Sequence, residues 1–355
     1  MNQKRIARVI ENMKGQGFER ILVTAPASVY YLTSARVQPG ERMLALLVTS
    51  DGDIKLLANR MFALQGQGLP LVEYGDTDDP VALLSESLPA GIVGIDKQWA
   101  SLFTLRLMAL RPDVKPVLGS GPVDLARMIK DAAELDALRT SSHANDRALR
   151  ETLSALAAGV TELEIGRAYA SAAQAQGAVG VGFSPLICFG AGGAEPHHES
   201  DSTPLKKGDA VILDVGLNIA EGLSDMTRTV FFGKASEKQR AVYELVREAN
   251  EAGRAAVKPG VPLRDIDRAA RGVIERAGYG EYFTHRTGHG LGLEIHEPPD
   301  VSARAEEIAL PGMVFSIEPG IYLPGEFGVR IEDLVAVTET GCETLNEFPR
   351  DLLEL

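Results

Sequence analysis

The first 125 residues alternate between short apolar runs and segments in which apolar positions have helical spacing. The runs RILVTA at 20–25 and IVGID at 92–96 predict buried strands, and apolar runs on both sides of Asp51-Gly52 predict a β-hairpin. Residues 98–110 have the apolar spacing of a helix. These elements together predict a compact α/β domain over residues 1–125.

The pattern changes at Asp124, where a long stretch with one apolar face begins and continues to Gly159. A faint repeat follows at an offset of 101 residues, and in it Gly159 recurs as Gly260. Each copy consists of a loop, a helix, a glycine stop and β-rich sequence. We therefore expect residues 126–355 to form an α+β domain, built from a duplicated unit with a pseudo-twofold axis.

Two predicted hairpins in this second domain each carry a pair of carboxylates. In the first, VILDVGLNIAEGLSDMTRTVFFG, a turn centred between Ile219 and Ala220 would place Asp214 and Asp225 directly opposite one another, about 5 Å apart at Cβ. Like charges so placed repel each other in a buried site, unless a cation lies between them or one is protonated. The alternative is that Asp225 belongs to the turn and faces water.

The second hairpin, MVFSIEPGIYLPGEFGVRIEDLVAVTE, repeats this arrangement. Its carboxylates Glu318 and Glu332 are equidistant from a turn centred on Gly325. Each hairpin follows one copy of the repeat. Unless Glu318 and Glu332 are unrelated surface residues, four carboxylates therefore meet near the pseudo-axis.

Five of the six histidines lie in the segment 197–296, among these hairpins. The stretch THRTGHGLGLEIHE contains three of them, and Gly288 and Gly290 flank His289, which lets the backbone come close to a ligand. This stretch lacks both the lysine of a phosphate-binding loop and the spacing of a dinucleotide-binding motif. Each histidine alone is more often structural, but beside four inward carboxylates the cluster predicts a metal site.

Four carboxylates and one imidazole form a hard, oxygen-rich donor set, which suits Mn²⁺ and also Co²⁺, Fe²⁺ or Zn²⁺. Two ions about 3.5–4 Å apart would balance the charge of the carboxylates. Such a pair generates hydroxide near neutral pH and polarises a carbonyl or phosphoryl oxygen. The predicted chemistry is hydrolysis.

Composition narrows the class of protein further. Apolar residues make up 45% and charged residues 24%, as in soluble globular proteins, and no apolar run approaches the roughly 20 residues of a membrane span. Two cysteines cannot form a disulfide framework, so we expect a cytoplasmic enzyme. The net charge is −13, and residues 126–355 carry the whole excess, with 23 basic and 36 acidic residues. An acidic surface disfavours nucleic-acid binding.

The order of these candidate ligands resembles the dimetal site of the pita-bread peptidases, which include methionine aminopeptidase, aminopeptidase P and prolidase. The matching contexts are LDVG, SDMTRT, TGHGLGLEIHE, PGMVFSIEPGIY and GVRIEDLVAV. The PHH element at 196–198 and the helix RMIKDAAELDALR resemble the proline-specific branch, and SVYYLTS at 28–34 resembles the creatinase-type N-terminal domain. The metal ligands implied by this resemblance are Asp214, Asp225, His289, Glu318 and Glu332.

The resemblance implies hydrolysis of the bond that precedes proline, by a hydroxide that bridges two divalent ions, with Glu318 as proton shuttle. His197 and His296 would lie near the scissile carbonyl oxygen and the leaving nitrogen, where they could stabilise the oxyanion. His285 would line the pocket, and Arg330 would orient a carboxylate ligand, Glu332.

Two further arginines are candidates for contact with substrate. Arg304 resembles a family arginine that precedes the PGM element, and it would bind a substrate carboxylate. Arg36 lies in the loop SARVQPGER at 34–42. Family members are commonly homodimers in which this N-terminal domain caps the partner's site, so a homodimer is implied here.

The compact length of the chain favours a prolidase, a dipeptidase that cleaves Xaa-Pro. The alternative is an Xaa-Pro aminopeptidase of the aminopeptidase P type, which acts on longer peptides. More remote alternatives are a creatinase-type hydrolase, which works without the metal ligands, and a non-enzymatic binding protein on the same fold. All five ligands are present, which argues against both.

Overall fold

The computed structural model describes residues 1–196 and 198–355, so the predicted catalytic residue His197 lies outside the described residues. The chain forms two compact units, Met1–Arg127 and Met128–Leu355. Within the described ranges, no helix combines the length and the apolar character that crossing a membrane requires. Each unit has its own sheets and its own buried core.

The N-terminal unit is a six-stranded mixed sheet with helices, in the strand order β4-β3-β2-β1-β5-β6. The central strands β1, β2 and β3 are antiparallel, while β4, β5 and β6 run parallel to their neighbours. The predicted strands and the predicted hairpin are confirmed, and Gly52 at the turn has a φ of +100°, which glycine adopts without strain. The elements are α1 (Gln3–Gly15), β1 (Arg20–Val23), α2 (Pro26–Thr33), β2 (Ala45–Thr49), β3 (Ile54–Asn59), β4 (Leu71–Tyr74), α3 (Pro80–Glu86), β5 (Gly91–Ile95), α4 (Ser101–Leu110), β6 (Val114–Leu118) and α5 (Gly121–Met128).

The C-terminal unit is α+β, with two pairs of helices and four sheets. The sheets have the orders β12-β9-β8, β11-β10-β7, β14-β13-β15-β18-β19 and β16-β17. Its elements are α6 (Ala132–Leu153), α7 (Glu162–Ala175), β7 (Gly180–Val181), β8 (Leu186–Phe189), β9 (Ala210–Val215), β10 (Leu217–Ile219), β11 (Gly222–Leu223), β12 (Met226–Phe231), α8 (Glu237–Ala256), α9 (Leu263–Arg276), β13 (Gly288–Gly290), β14 (Glu297–Val301), β15 (Val314–Ile317), β16 (Gly320–Leu323), β17 (Phe327–Arg330), β18 (Asp333–Val337) and β19 (Cys342–Thr344).

The duplicated unit predicted from the sequence is present as two helix pairs. Helix α6 packs on α7 in the first half, and α8 packs on α9 in the second. The loops between the paired helices match as well, because Gly159 and Gly260 both have a φ of +85°. The amide of Gly159 donates to the carbonyl of Leu205, and the amide of Gly260 donates to that of Ala309. Each half thus repeats the same connection between its helices and its own later loop.

The prediction of one long helix from Asp124 is wrong, because the helix is interrupted between α5 and α6. Ile129 leaves the helical path and forms a β-bridge with Met313. Asp131 then caps α6, since its side chain accepts from the amide of Glu134 while the Glu134 carboxylate accepts from the amide of Asp131. This reciprocal capping satisfies amides at the start of a new helix, so the helical pattern restarts there.

The core of the first half is formed where α6 and α7 cover the sheet β12-β9-β8. Leu149 of α6, Ile165 of α7 and Val211 and Leu213 of β9 belong to one buried apolar cluster. In the second half, α9 and the strands β14, β15 and β18 share another cluster. These cores fix the strands whose ends carry the candidate ligands.

Candidate active site

A cavity of about 430 Å³ in the C-terminal unit brings together all five predicted metal ligands. Asp214 lies near the end of β9, and Asp225 directly precedes β12. His289 is the middle residue of β13, while Glu318 follows β15 and Glu332 precedes β18. Residues that are far apart in the sequence therefore converge at the ends of neighbouring strands.

The first carboxylate pair is arranged differently from the prediction. In the ladder between β9 and β12, Asp214 lies opposite Thr227, so Asp225 is diagonal to Asp214 instead of directly opposite. The cause is a two-residue turn at Ala220 and Glu221, which both have positive φ, at 49° and 71°. This turn shifts the register from the expected one. Because side chains alternate along a strand, a diagonal pair still lies on one face, and both carboxylates line the cavity.

The second carboxylate pair has the predicted register. The pairing of β16 with β17 and that of β15 with β18 are both centred on Gly325, which has a φ of +74°. Glu318 and Glu332 lie between the two ladders, at equal distance from this turn. Their amides bond elsewhere, to the carbonyls of Thr287 and Thr227 respectively. The two glutamates therefore lie at the break between the ladder of β15 with β18 and the ladder of β16 with β17. Both line the cavity at this break.

His289 is held by strands that approach one another very closely. A Cβ on Gly288 would lie 1.8 Å from the carbonyl oxygen of Ser316, and one on Gly290 would lie 2.4 Å from that of Pro298. The flanking glycines thus serve contacts between strands, whereas the sequence suggested close approach to a ligand. The amide of His289 also donates to Ser316 Oγ at 3.0 Å. The imidazole therefore has a fixed position in the cavity wall.

The candidate ligand atoms are close together and several have no other partner. His289 Nε2 lies 3.4 Å from Glu318 Oε1 and 3.7 Å from Asp225 Oδ2. One ligand atom from each of Asp225, His289 and Glu332 lies within 4.8 Å of the others. Within the described chain, Asp214 Oδ1, Asp225 Oδ1 and Glu332 Oε1 are buried without a hydrogen-bond partner. Buried acceptors of this kind fit cations, because desolvated carboxylate oxygens need a positive partner.

Burial and mutual repulsion dominate the electrostatics of the site. Burial, with the charge of Glu332, raises the pKa of Asp225 well above its usual value. Burial, with the charge of Glu318, does the same to the pKa of Glu332, and burial raises the pKa of Glu318. Burial lowers the pKa of His289 to about 4, so its imidazole is neutral near pH 7 and can ligate a metal. A cation in the cavity would allow all the carboxylates to ionise together.

Arg330 anchors two of the carboxylates on the protein side. Its Nη2 donates to Asp214 Oδ2 at 2.6 Å, and its Nε donates to Thr227 Oγ1 at 3.1 Å. Thr227 Oγ1 in turn donates to Glu332 Oε2 at 2.7 Å. Arg330 therefore contacts Asp214 directly and reaches Glu332, its predicted partner, only through Thr227.

Tyr322 belongs to the same network and was not found from the sequence. Its hydroxyl accepts from Arg330 Nη1 at 2.9 Å and lies 2.8 Å from His285 Nε2. Burial raises the pKa of Tyr322 to about 12, so the hydroxyl stays protonated. A signal was available, because the hairpin register puts Tyr322 two positions from the partner of Arg330 on the same face.

The described histidines of the cavity wall are neutral near pH 7. The ring of His296 lies edge-on to that of His289, with centroids 4.3 Å apart. Burial lowers the pKa of His296 to about 4, and burial also lowers the pKa of His285. Both line the cavity, and His296 could donate a hydrogen bond to a substrate oxygen. Neutral His285 donates its N–H to the Arg286 carbonyl at 2.7 Å, so its Nε2 accepts from the Tyr322 hydroxyl at 2.8 Å.

A second group of potential metal ligands, Glu162, His198 and Asp201, lies outside the described cavity lining and is joined by hydrogen bonds. Glu162 is fully buried, and its Oε2 lies 2.8 Å from His198 Nε2 and accepts from the amide of Asp201 at 3.0 Å. Its Oε1 accepts from the amide of Phe189 at 2.7 Å. Because both oxygens of Glu162 are engaged, this group ties His198 and Asp201 to the start of α7.

Of the two predicted substrate arginines, the one in the C-terminal unit, Arg304, lies outside the described cavity lining. Arg304 is exposed in a turn after β14. Arg36 is exposed in the N-terminal unit, with its guanidinium 4.5 Å from the centre of the Tyr30 ring. Their roles stay predictions. Among the described residues of the cavity lining, the arginines are Arg286, which the sequence did not single out, and Arg330.

Comparisons with known proteins agree with this geometry. The model of metallopeptidase family M24 matches residues 136–339, and that of the creatinase/prolidase N-terminal domain matches residues 5–129. An uncharacterized peptidase of Staphylococcus aureus (strain USA300) is 35% identical over 98% of this chain and 99% of its own length. The solved prolidase from Thermococcus sibiricus has 34% identity and a TM-score of 0.95 over 100% of both chains. A solved dipeptidase from Pyrococcus horikoshii OT3 has 35% identity and a TM-score of 0.93, over 99% of this chain and 100% of that one.

Proposed function

Because this chain belongs to metallopeptidase family M24, we propose that it is a proline dipeptidase, which hydrolyses Xaa-Pro dipeptides with two divalent ions. It has the pita-bread fold of prolidases, with the creatinase-type N-terminal domain. The observation that carries the proposal is the convergence of four carboxylates and one imidazole in a single cavity. The prolidase and the dipeptidase of similar structure support the choice of substrate.

The donor set fits divalent ions of the harder kind. Its members are carboxylate oxygens and an imidazole nitrogen, and the described cavity lining contains no thiol, so Mn²⁺ is our first choice, ahead of Co²⁺, Zn²⁺ and Fe²⁺. Such ions, when bound, polarise a carbonyl and lower the pKa of water, which supplies a nucleophile near neutral pH. The residues that would hold them are Asp214, Asp225, His289, Glu318 and Glu332.

The remaining tasks fall to side chains of this chain. Glu318 accepts from Ser316 Oγ at 3.0 Å and lies in the cavity wall, so it is placed to take a proton and to pass it to the leaving nitrogen. Neutral His296 can donate to the oxygen on which charge develops, whereas the N–H of neutral His285 is already donated to the Arg286 carbonyl. Arg330 keeps Asp214 in place throughout, because it is fully committed to Asp214, Thr227 and Tyr322.

The apolar part of the cavity suits a proline ring. Phe183, Leu186 and Ile295 are among its lining residues. The leaving group of an Xaa-Pro bond is an imide nitrogen without an N–H, so the site must accept a rigid ring and protonate a ring nitrogen. An apolar wall beside a proton donor meets both needs.

The test is hydrolysis by the full chain after removal of metal and reconstitution with Mn²⁺. Substrates are an Xaa-Pro dipeptide, the same dipeptide with alanine in place of proline, and a tripeptide with proline second. We expect release of free proline from the first substrate, with much lower kcat/KM for the others. The variant Glu318→Gln should lose activity, while Glu326→Gln, at the exposed end of the same hairpin, should not. No cleavage of any Xaa-Pro substrate would defeat the proposal, and preference for the tripeptide would favour the aminopeptidase alternative.

A further inference from the structure

Arg286 is the arginine of the described cavity lining whose guanidinium has only one of its nitrogens in a described protein contact. Of the two arginines in the described lining, Arg330 is buried, and its Nε, Nη1 and Nη2 each have a protein acceptor. Arg286 retains 35% of its side-chain exposure. Its described ion pair uses Nη1 alone, and the acceptor is Asp300 Oδ1. Further N–H groups of Arg286 are therefore available to a molecule in the cavity.

The position of Arg286 is set by the strands that present the metal ligands. Asp300 lies on β14 and pairs with His289 of β13 in the sheet. The ion pair between Arg286 and Asp300 therefore ties the guanidinium to the strand next to His289. Residue 285, which directly precedes Arg286, also lines the cavity. Arg286 thus lines the cavity with its guanidinium paired to Asp300 and still partly open to solvent.

The charge balance of the site gives the Arg286 guanidinium a role in binding an anionic substrate. Four carboxylates line the cavity, and two divalent ions would balance them, while the charge of Arg330 is engaged by Asp214. A dipeptide has a free carboxylate on the residue after the scissile bond, whereas a longer peptide has an amide at that point. A guanidinium can bind a carboxylate through two parallel hydrogen bonds, and it offers much less to a neutral carbonyl.

We propose that Arg286 binds the C-terminal carboxylate of the dipeptide and thereby selects dipeptides over longer peptides. This inference rests on the proposed function and adds to it the residue that distinguishes dipeptides from longer peptides. It differs from the expectation for Arg304, which lies in an exposed turn outside the cavity lining. Asp300 orients the guanidinium and acts through Arg286 alone.

The experiment compares an Xaa-Pro dipeptide with its C-terminal amide, Xaa-Pro-NH2, in the metal-loaded full chain. For Arg286→Ala we expect KM for the dipeptide to rise about 10- to 100-fold, the size of effect seen when a charged hydrogen-bond partner is removed. KM and kcat for the amide should not change. Arg286→Lys should recover part of the loss, because lysine retains the charge but lacks the fork. The matched control is Arg268→Ala, since Arg268 forms an ion pair with Asp265 on an exposed helix face.

The outcomes separate this inference from the proposed function. Hydrolysis of neither substrate by the unmodified chain would defeat the proposed function itself. An equal loss on dipeptide and amide in Arg286→Ala would show a structural role and overturn the inference, as would no change on either. A selective loss of dipeptide hydrolysis in Arg304→Ala, without one in Arg286→Ala, would also overturn it.

Discussion

The two halves of the C-terminal unit use the same device to position their ligand-bearing strands. In the first half, Asn145 of α6 donates to the carbonyl of Val215 at 2.9 Å. In the second half, Asn250 of α8 donates to the carbonyl of Ile317 at 2.9 Å. Both carbonyls belong to residues next to a candidate metal ligand. A buried amide on the long helix thus holds the strand end in each half.

The halves differ in the partners of these two asparagines and in the residues that they contribute to the cavity. The oxygen of Asn145 accepts from the Tyr169 hydroxyl at 2.6 Å, whereas the oxygen of Asn250 accepts from Arg254 Nε at 2.8 Å. Among the described charged and imidazole residues of the lining, the first half contributes two aspartates, while the second contributes two glutamates, three histidines and two arginines. The backbone arrangement is therefore shared, and the chemistry of the site comes mainly from the second half.

The largest expected effect comes from removing one ligand in each half. We expect Asp225→Asn and Glu332→Gln each to lower kcat/KM by more than about 100-fold, because even residues that only support metal ligands contribute 10- to 100-fold. Metal content after dialysis should fall in both. The control is Glu326→Gln, which alters an exposed carboxylate. Normal activity in Asp225→Asn would mean that Asp225 is not an essential ligand.

Metal binding should depend on pH through the carboxylates of both halves. Burial and neighbouring carboxylates raise the pKa of Asp225 and Glu332 in the metal-free chain. A raised pKa in the folded state gives stability that is present at low pH and is lost as the pH rises through the raised value. Added Mn²⁺ displaces those protons, so the gain in Tm on adding Mn²⁺ should grow with pH. Thermal melts across a pH series, with and without Mn²⁺, would measure it, and a gain independent of pH would contradict the expectation.

The shared asparagine device predicts comparable losses of stability in the two halves. Asn145→Ala and Asn250→Ala should each lower the free energy of unfolding by about 1–3 kcal/mol, because a buried carbonyl loses its donor. The effect of Asn250→Ala should be the larger, since Asn250 also donates to a second carbonyl, that of Ile331. Urea denaturation of the metal-free chain would measure both. A neutral result in one half would show that the resemblance between the halves is only geometric.

The smallest effect is expected at the matched glycines of the two halves. Gly159 and Gly260 both have a φ of +85°, and a Cβ at either would meet nothing within 4 Å. Alanine at each position therefore introduces backbone strain without a clash, at a cost of roughly 1–2 kcal/mol. Urea denaturation should give the same loss for Gly159→Ala and Gly260→Ala. Clearly unequal losses would show that the two loops carry different constraints.

Register shows where sequence reasoning succeeds and where it fails. The second hairpin was predicted correctly because Gly325 marks its turn and the spacing of Glu318 and Glu332 is symmetric about it. The first hairpin was misplaced because its turn residues, Ala220 and Glu221, adopt positive φ without the asparagine or glycine that usually signals such a turn. Local geometry that the residue types do not favour is set by the surrounding strands.

The sequence by itself determined the set of donors, the duplication and the metal-dependent class of chemistry, because these depend on residue types and on spacing along the chain. Only the tertiary structure decided that Arg330 contacts Asp214, that Tyr322 joins Arg330 to His285, and that the cavity retains Arg286. The contact between Arg330 and Asp214 joins the two halves, and that between Tyr322 and His285 joins residues 37 positions apart. Packing of the two halves brings Arg330 to Asp214, while folding within the second half brings Tyr322 to His285, and local spacing records neither.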